Sequence, residues 1–112
     1  MISRTHRFHG RASLNYVYRQ GKTVHLPEAS LKFILNQRRQ TYRTAVVVSK
    51  KVNKSAVARN RIRRRLYEVI RRHNTTKPYD LIITVFADDI AAWPTEQVNN
   101  FVDRLFKQAG IN

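Results

Sequence analysis

Between Ala58 and His73 the chain reads ARNRIRRRLYEVIRRH, which places seven arginines in sixteen residues. A guanidinium is planar, always charged, and donates in a fork that matches two phosphate oxygens, so this density points to recognition of a phosphate-bearing polymer. Hydrolytic chemistry by the protein itself is poorly provided for. A two-metal site needs several convergent carboxylates, and the basic part of the chain offers only Glu28 and Glu68. Asp88 and Asp89 lie elsewhere and read as turn residues, and His6, His9, His25 and His73 have no carboxylate at a metal-ligand spacing. No catalytic residue and no protein-borne metal site are expected.

Charge extends this reading along the chain. Among 112 residues the net charge is +15, with 42% hydrophobic residues, enough apolar content for a packed domain rather than a disordered tail. Residues 1–78 carry 20 Lys and Arg against 2 acids, whereas residues 79–112 carry 2 against 5. Like charge at that density repels itself unless a partner neutralises it, which favours a polyanion. There is no cysteine, so disulfides and thiolate metal sites are excluded. The N-terminus lacks the apolar run of a secretory signal, and the stretch from Leu81 to Ala87 falls far short of the roughly 20 residues of a membrane span. A soluble, cytoplasmic protein is expected.

The elements that must hold the arginines follow from periodicity. No repeat or linker divides the sequence, so residues 1–112 read as one domain with a flexible basic N-terminus over 1–11. Ser13 has the side chain of an N-cap for a short helix in which Leu14, Val17 and Tyr18 share a face, and Gly21 suits its end. SLKFIL (30–35) and RTAVVVSK (43–50) read as antiparallel neighbouring strands, with a weaker strand from Thr23 to Leu26. Ser55 suits the N-cap of the long arginine helix. YDLIITVF (79–86) follows as an apolar strand, and strand, helix, strand implies a crossover between parallel strands. Thr95 can cap a last helix carrying Val98, Phe101, Val102, Leu105 and Phe106, ended by Gly110. The fold class is α+β, in the order α-β-β-β-α-β-α.

At about 100° per residue, Ala58, Ile62, Leu66, Val69 and Ile70 form one stripe of the long helix. Asn60, Arg64 and Arg71 fall opposite it, Arg61, Arg65 and Arg72 along one flank, and Arg59 and Arg63 at the other margin. A solvated helix normally alternates charge to gain i, i+4 pairs worth ~0.2–0.5 kcal/mol each. Here Arg61 and Arg65 repel at that spacing, and Glu68 is the only acid. A membrane-surface helix would need a wide apolar face free to insert, and this narrow stripe is spent inside the domain. A DNA-binding helix-turn-helix is also a poor fit, because strands flank the helix.

The stretch VVVSKKVNKSAVARNRIRRRLYEVIR (46–71) closely resembles the signature of the bacterial ribonuclease P protein subunit, in which a strand ending in Ser-Lys-Lys leads into a helix bearing Arg-Asn-Arg. LNYVYRQGK (14–22) resembles that family's first helix, and YDLIITVF its last strand, so the likeness covers most of the chain. The resemblance implies an α/β sandwich of two layers whose βαβ crossover is left-handed, against the usual right-handed rule. It also implies an accessory subunit of an RNA enzyme that removes the 5′ leader from precursor tRNA, with catalysis and Mg2+ belonging to the RNA-containing holoenzyme.

Carried onto this sequence, the motif assigns Arg59, Asn60, Arg61, Arg63 and Arg64, with Lys50 and Lys51, to contact with the catalytic RNA subunit. The single-stranded leader is expected in a cleft between the first helix and the sheet, at Leu14, Tyr18 and Phe33, where aromatic rings offer stacking platforms. The chain departs from the pattern at Leu14, usually aromatic, at Asn53 to Ser55, usually a glycine-containing turn, and at Tyr67, usually basic. The alternative reading is a ribosomal or general RNA-binding protein of similar fold.

Overall fold

A computed structural model describes residues 4–8, 10–73 and 75–111. The elements are α1 (Arg11–Gln20), β1 (Lys22–His25), β2 (Ala29–Leu35), β3 (Arg43–Val48), α2 (Ala56–His73), β4 (Tyr79–Val85) and α3 (Thr95–Ala109), with short 3-10 turns at Arg4–His6 and Asp88–Ala91. The α+β class and its order agree with the periodicity of the sequence.

The strand order across the sheet is β1-β2-β4-β3. β3 and β4 run parallel, joined through α2, while β2 is antiparallel to both β1 and β4. The expected pairing of β2 with β3 is therefore corrected, because β4 lies between them. The reason is visible in β4 itself. Leu81, Ile82 and Ile83 are wholly buried, so this strand is apolar on both faces and is stable only in the centre of the sheet. β3, with Val47 half exposed, takes the edge.

Residues paired across the strands share a face. Leu31, Phe33, Val46, Leu81, Ile83 and Val85 lie on one side and join the main core, where Ile62, Leu66, Val69 and Ile70 of α2 meet Val98, Phe101, Val102, Leu105 and Phe106 of α3. Burying each large aliphatic side chain of the α2 stripe stabilises the fold by ~1.5–3 kcal/mol. On the other side, here called the outer face, Ile82 is covered by Val17 of α1, both wholly buried. α2 and α3 thus form the principal layer against the sheet, and short α1 crosses the outer face.

Local chemistry shifts two helix starts. α1 begins at Arg11 rather than after Ser13, because Gly10 at φ +85° makes the entry in a region glycine reaches at little cost. α3 is preceded by Pro94, not capped by Thr95; the Pro94 carbonyl accepts from the N–H groups of Gln97 and Val98. Ser55 does cap α2, its Oγ accepting from Ala58 N–H at 3.3 Å. Gly110 ends α3 at φ +74°. Gly21 ends α1 for a different reason, close approach: a Cβ there would stand 2.6 Å from the Val17 carbonyl oxygen.

Part of the N-terminal segment lies against the edge of the sheet. Arg7 bridges to Thr44 on the free edge of β3, and His6 stacks on Tyr42 with ring centres 4.0 Å apart. Residues 1–3 and His9 lie outside the described residues. Farther along the same edge the Tyr67 hydroxyl accepts from Val46 N–H at 3.1 Å. The tyrosine that replaces a usual basic residue in α2 thereby satisfies a donor that an edge strand would otherwise leave open.

Candidate RNA interface

The arginines of α2 divide by what their guanidinium groups touch. Arg59 Nη1 turns back to donate to the carbonyls of Asn53 and Lys54, each at 2.9 Å, and so fixes the loop that leads from β3 into the helix. In that loop Asn53 Oδ1 accepts from Ser55 N–H at 2.9 Å, and Asn53 Nδ2 donates to Asp88 at 3.3 Å. Three side-chain bonds from Asn53 and Ser55 do here what a glycine-containing turn does by backbone freedom. Arg65 donates to the carbonyls of Ile90 and Ala91 at 2.9 and 3.0 Å, which ties α2 to the turn after β4. Arg63 donates to Asn60 Oδ1 beside it.

Near the end of the helix Arg71 pairs with Glu68 at 2.9 Å, with Arg72 at 4.0 Å from the same carboxylate. The hydrogen bond from Arg71 holds Glu68 below the ordinary carboxylate range. Arg61 and Arg64 are different. Both are exposed, they stand three residues apart on the solvent side of the helix, and among the described residues neither has a side-chain partner. Lys50 and Lys51 are likewise exposed where β3 ends. A surface cation held by no acid keeps its full capacity to pair with a phosphate, so these four groups carry the free positive charge of the assigned set.

The sequence-assigned cleft is only partly assembled. Tyr18 is 43% exposed on α1, and Lys32 of the outer face reaches to 6.0 Å from its ring centre. Leu14 is half-buried on the same helix. Phe33 lies on the other face of β2. Strand alternation sends Lys32 to the outer face and Phe33 to the opposite one, where it belongs to the main core and meets Tyr79 edge-on at 6.4 Å. Phe33 also lines a cavity of about 410 Å³ with Gln20 at the end of α1, Lys22 and Tyr79.

Other residues line this region that motif spacing does not mark. A cavity of about 260 Å³ is lined by Ser13, Tyr16, Asn36, Arg38, Arg43 and Asp80. Its floor is a buried fork in which Arg43 donates through Nε and Nη2 to the two carboxylate oxygens of Asp80 at 2.9 and 2.8 Å. Asn36 adds a third bond to Asp80 at 3.1 Å, and the Phe8 ring lies 4.7 Å from the guanidinium carbon. Arg43 opens RTAVVVSK and Asp80 follows Tyr79 at the strand start, so the signal was present as two charges at the heads of apolar strands.

The carboxylates do not fit a magnesium site. Asp80 is committed to Arg43, Glu68 to Arg71, and among the described residues no group of three or more His, Cys, Asp or Glu could hold a metal ion. No helix is long and apolar enough to cross a membrane.

A basic helix with two unpartnered arginines is set on a four-stranded sheet whose outer face is partly open, which is the arrangement of a polyanion-binding protein. Comparison with known proteins sharpens this class. The Ribonuclease P family profile matches residues 2–110, so the chain belongs to the ribonuclease P protein family. It is 30% identical to the ribonuclease P protein component of Prochlorococcus marinus (strain AS9601), over 95% of this chain and 94% of that one. Against the corresponding component of Chloroflexus aurantiacus (strain ATCC 29366 / DSM 635 / J-10-fl) identity is 32%, over 96% and 80%. The solved RNase P protein of Staphylococcus aureus superposes with a TM-score of 0.81 at 25% identity, covering 93% of this chain and 94% of the other. The Thermotoga maritima RNase P protein shares the fold with a TM-score of 0.79 at 20% identity, over 91% and 96%. This chain is accordingly a protein component of a ribonucleoprotein endoribonuclease.

Proposed function

We propose that the chain serves its holoenzyme by binding two RNAs with two surfaces. The solvent side of α2, through Arg61 and Arg64 with Lys50 and Lys51 at its approach, takes phosphates of the catalytic RNA subunit. Arg59, Asn60 and Arg63 support that surface by shaping the start of the helix. The single-stranded leader of precursor tRNA lies along α1 and the outer face of the sheet, with Tyr18 and Leu14 at the helix side. Magnesium belongs with the RNA in this reading; Asp80 and Glu68 are each paired with an arginine, Arg43 and Arg71.

The observation that carries this reading is the sorting of the arginines. Arg59 and Arg65 are spent on backbone carbonyls, whereas Arg61 and Arg64 face solvent unpaired. A helix that needed its charge only for folding would not retain two such groups against repulsion from its neighbours. The test is processing of precursor tRNA at limiting magnesium by the catalytic RNA with and without this protein. Faster, accurate 5′ cleavage with the protein supports the proposal, and equal rates contradict it.

A further inference from the structure

Among the exposed Phe and Tyr rings of the described residues, that of Phe86 is the most exposed. Phe86 follows β4 directly and is 52% exposed. Its backbone is fixed, since Phe86 N–H donates to the Glu28 carbonyl at 2.8 Å, extending the β2–β4 ladder by one step. Strand alternation therefore carries on through it: Val85 points into the core, and Phe86 falls on the outer face with Ile82 and Thr84. Val47, 38% exposed, pairs with Thr84 on that face. Among the described residues the Phe86 ring stacks on no other ring and is not packed against the core.

The parallel register ends β3 and β4 at the same side of the sheet. Val48 pairs with Val85, so the chain beyond Val48, through Ser49 to the two exposed lysines, leaves β3 where Phe86 leaves β4. Asp88 and Asp89 follow on the turn after β4, and Asp88 is engaged by Asn53. A solvent-facing aromatic ring on a held strand end is the chemistry that takes an unpaired base on its π face. The same outer face carries α1 at Ile82. Four residue steps lead from Ile82 to Phe86, about 13 Å at ~3.3 Å per step.

We propose that Phe86, with Val47 on the same face, is a second stacking platform for the single-stranded leader, at the far end of the outer face from α1. This rests on the leader-binding reading above and deepens it. A leader of one or two nucleotides ends near α1, and only a longer one crosses the sheet to reach Phe86.

The experiment uses the reconstituted holoenzyme with Phe86→Ala, Phe86→Trp and the unaltered chain, measuring affinity for precursor tRNAs with a short and a long leader. Loss of one stacked base weakens binding roughly 5- to 150-fold. The expected result is that loss for Phe86→Ala on the long leader alone, with Phe86→Trp retaining the affinity. Unchanged long-leader affinity in Phe86→Ala overturns the proposal. Equal weakening on both leaders also overturns it, because the ring then contacts the catalytic RNA or supports the fold. If the unaltered chain itself shows no preference for the long leader, the leader-binding reading fails, which is a result separate from any effect at Phe86.

Discussion

Replacing Arg43 by Met removes the cation from the most enclosed ion pair of the fold. The Arg43 side chain is 10% exposed and that of Asp80 1%, so the remaining carboxylate cannot recover its hydration and keeps only the Asn36 amide as a partner. Two charge-assisted hydrogen bonds are lost, each worth ~1.5–3 kcal/mol. Breaking a buried pair from one side typically costs ~3–5 kcal/mol, and the contact with the Phe8 ring accounts for a further ~0.5–1. Against a total stability of ~5–15 kcal/mol, such a loss is severe. Urea denaturation followed by far-UV circular dichroism measures it. The double variant Arg43→Met/Asp80→Leu removes the stranded charge and should be more stable than Arg43→Met alone. A loss below about 1 kcal/mol for the single variant, or a double variant worse than the sum of the two singles, would refute the reasoning.

The arginines of α2 should separate by experiment as they do by contact. Arg61→Ala with Arg64→Ala should flatten the salt dependence of RNA binding by about one unit for each phosphate lost, with the unfolding midpoint nearly unchanged. Arg65→Met should do the reverse, costing ~1.5–3 kcal/mol of stability with the salt slope preserved. Tyr67→Phe should cost about 1 kcal/mol in denaturation, since Val46 N–H loses its partner at the sheet edge. Burial pushes the Tyr42 phenol above its ordinary value of 10.0, with the nearby Arg71 cation opposing the shift. The raised folded value means that Tyr42 stabilises the fold fully below pH 10 and that this contribution is lost as pH rises through the raised value. Phenolate absorbance should show one late-titrating tyrosine that disappears in Tyr42→Phe.

The arginine helix was legible because its two messages have different periods. Ile62, Leu66, Val69 and Ile70 recur as a helical stripe, and all are buried. The charge pattern alone could not sort the arginines, because the groups that claim Arg59 and Arg65 are backbone carbonyls of loops, one of them 25 residues away at Ile90. Carbonyls leave no mark in residue types. The position of β4 was readable in principle from its apolar run on both faces, yet proximity in sequence favoured pairing β2 with β3. Phe33 shows a sharper limit: alternation separates it from Lys32 but does not say which of the two faces α1 will cover. That depends on Val17 meeting Ile82, a contact between segments 65 residues apart. Phe86 passed as the last letter of an apolar strand until its exposure was seen.

The central claim is that this protein's free cations serve one particular RNA. Recovering the protein from cells under native conditions and sequencing the RNA bound to it tests that claim most directly. The account predicts one dominant species, the catalytic RNA of ribonuclease P, accompanied by tRNA precursors that retain their leaders, both depleted in Arg61→Ala/Arg64→Ala. Ribosomal RNA in its place, with no enrichment of the catalytic RNA, would contradict the account.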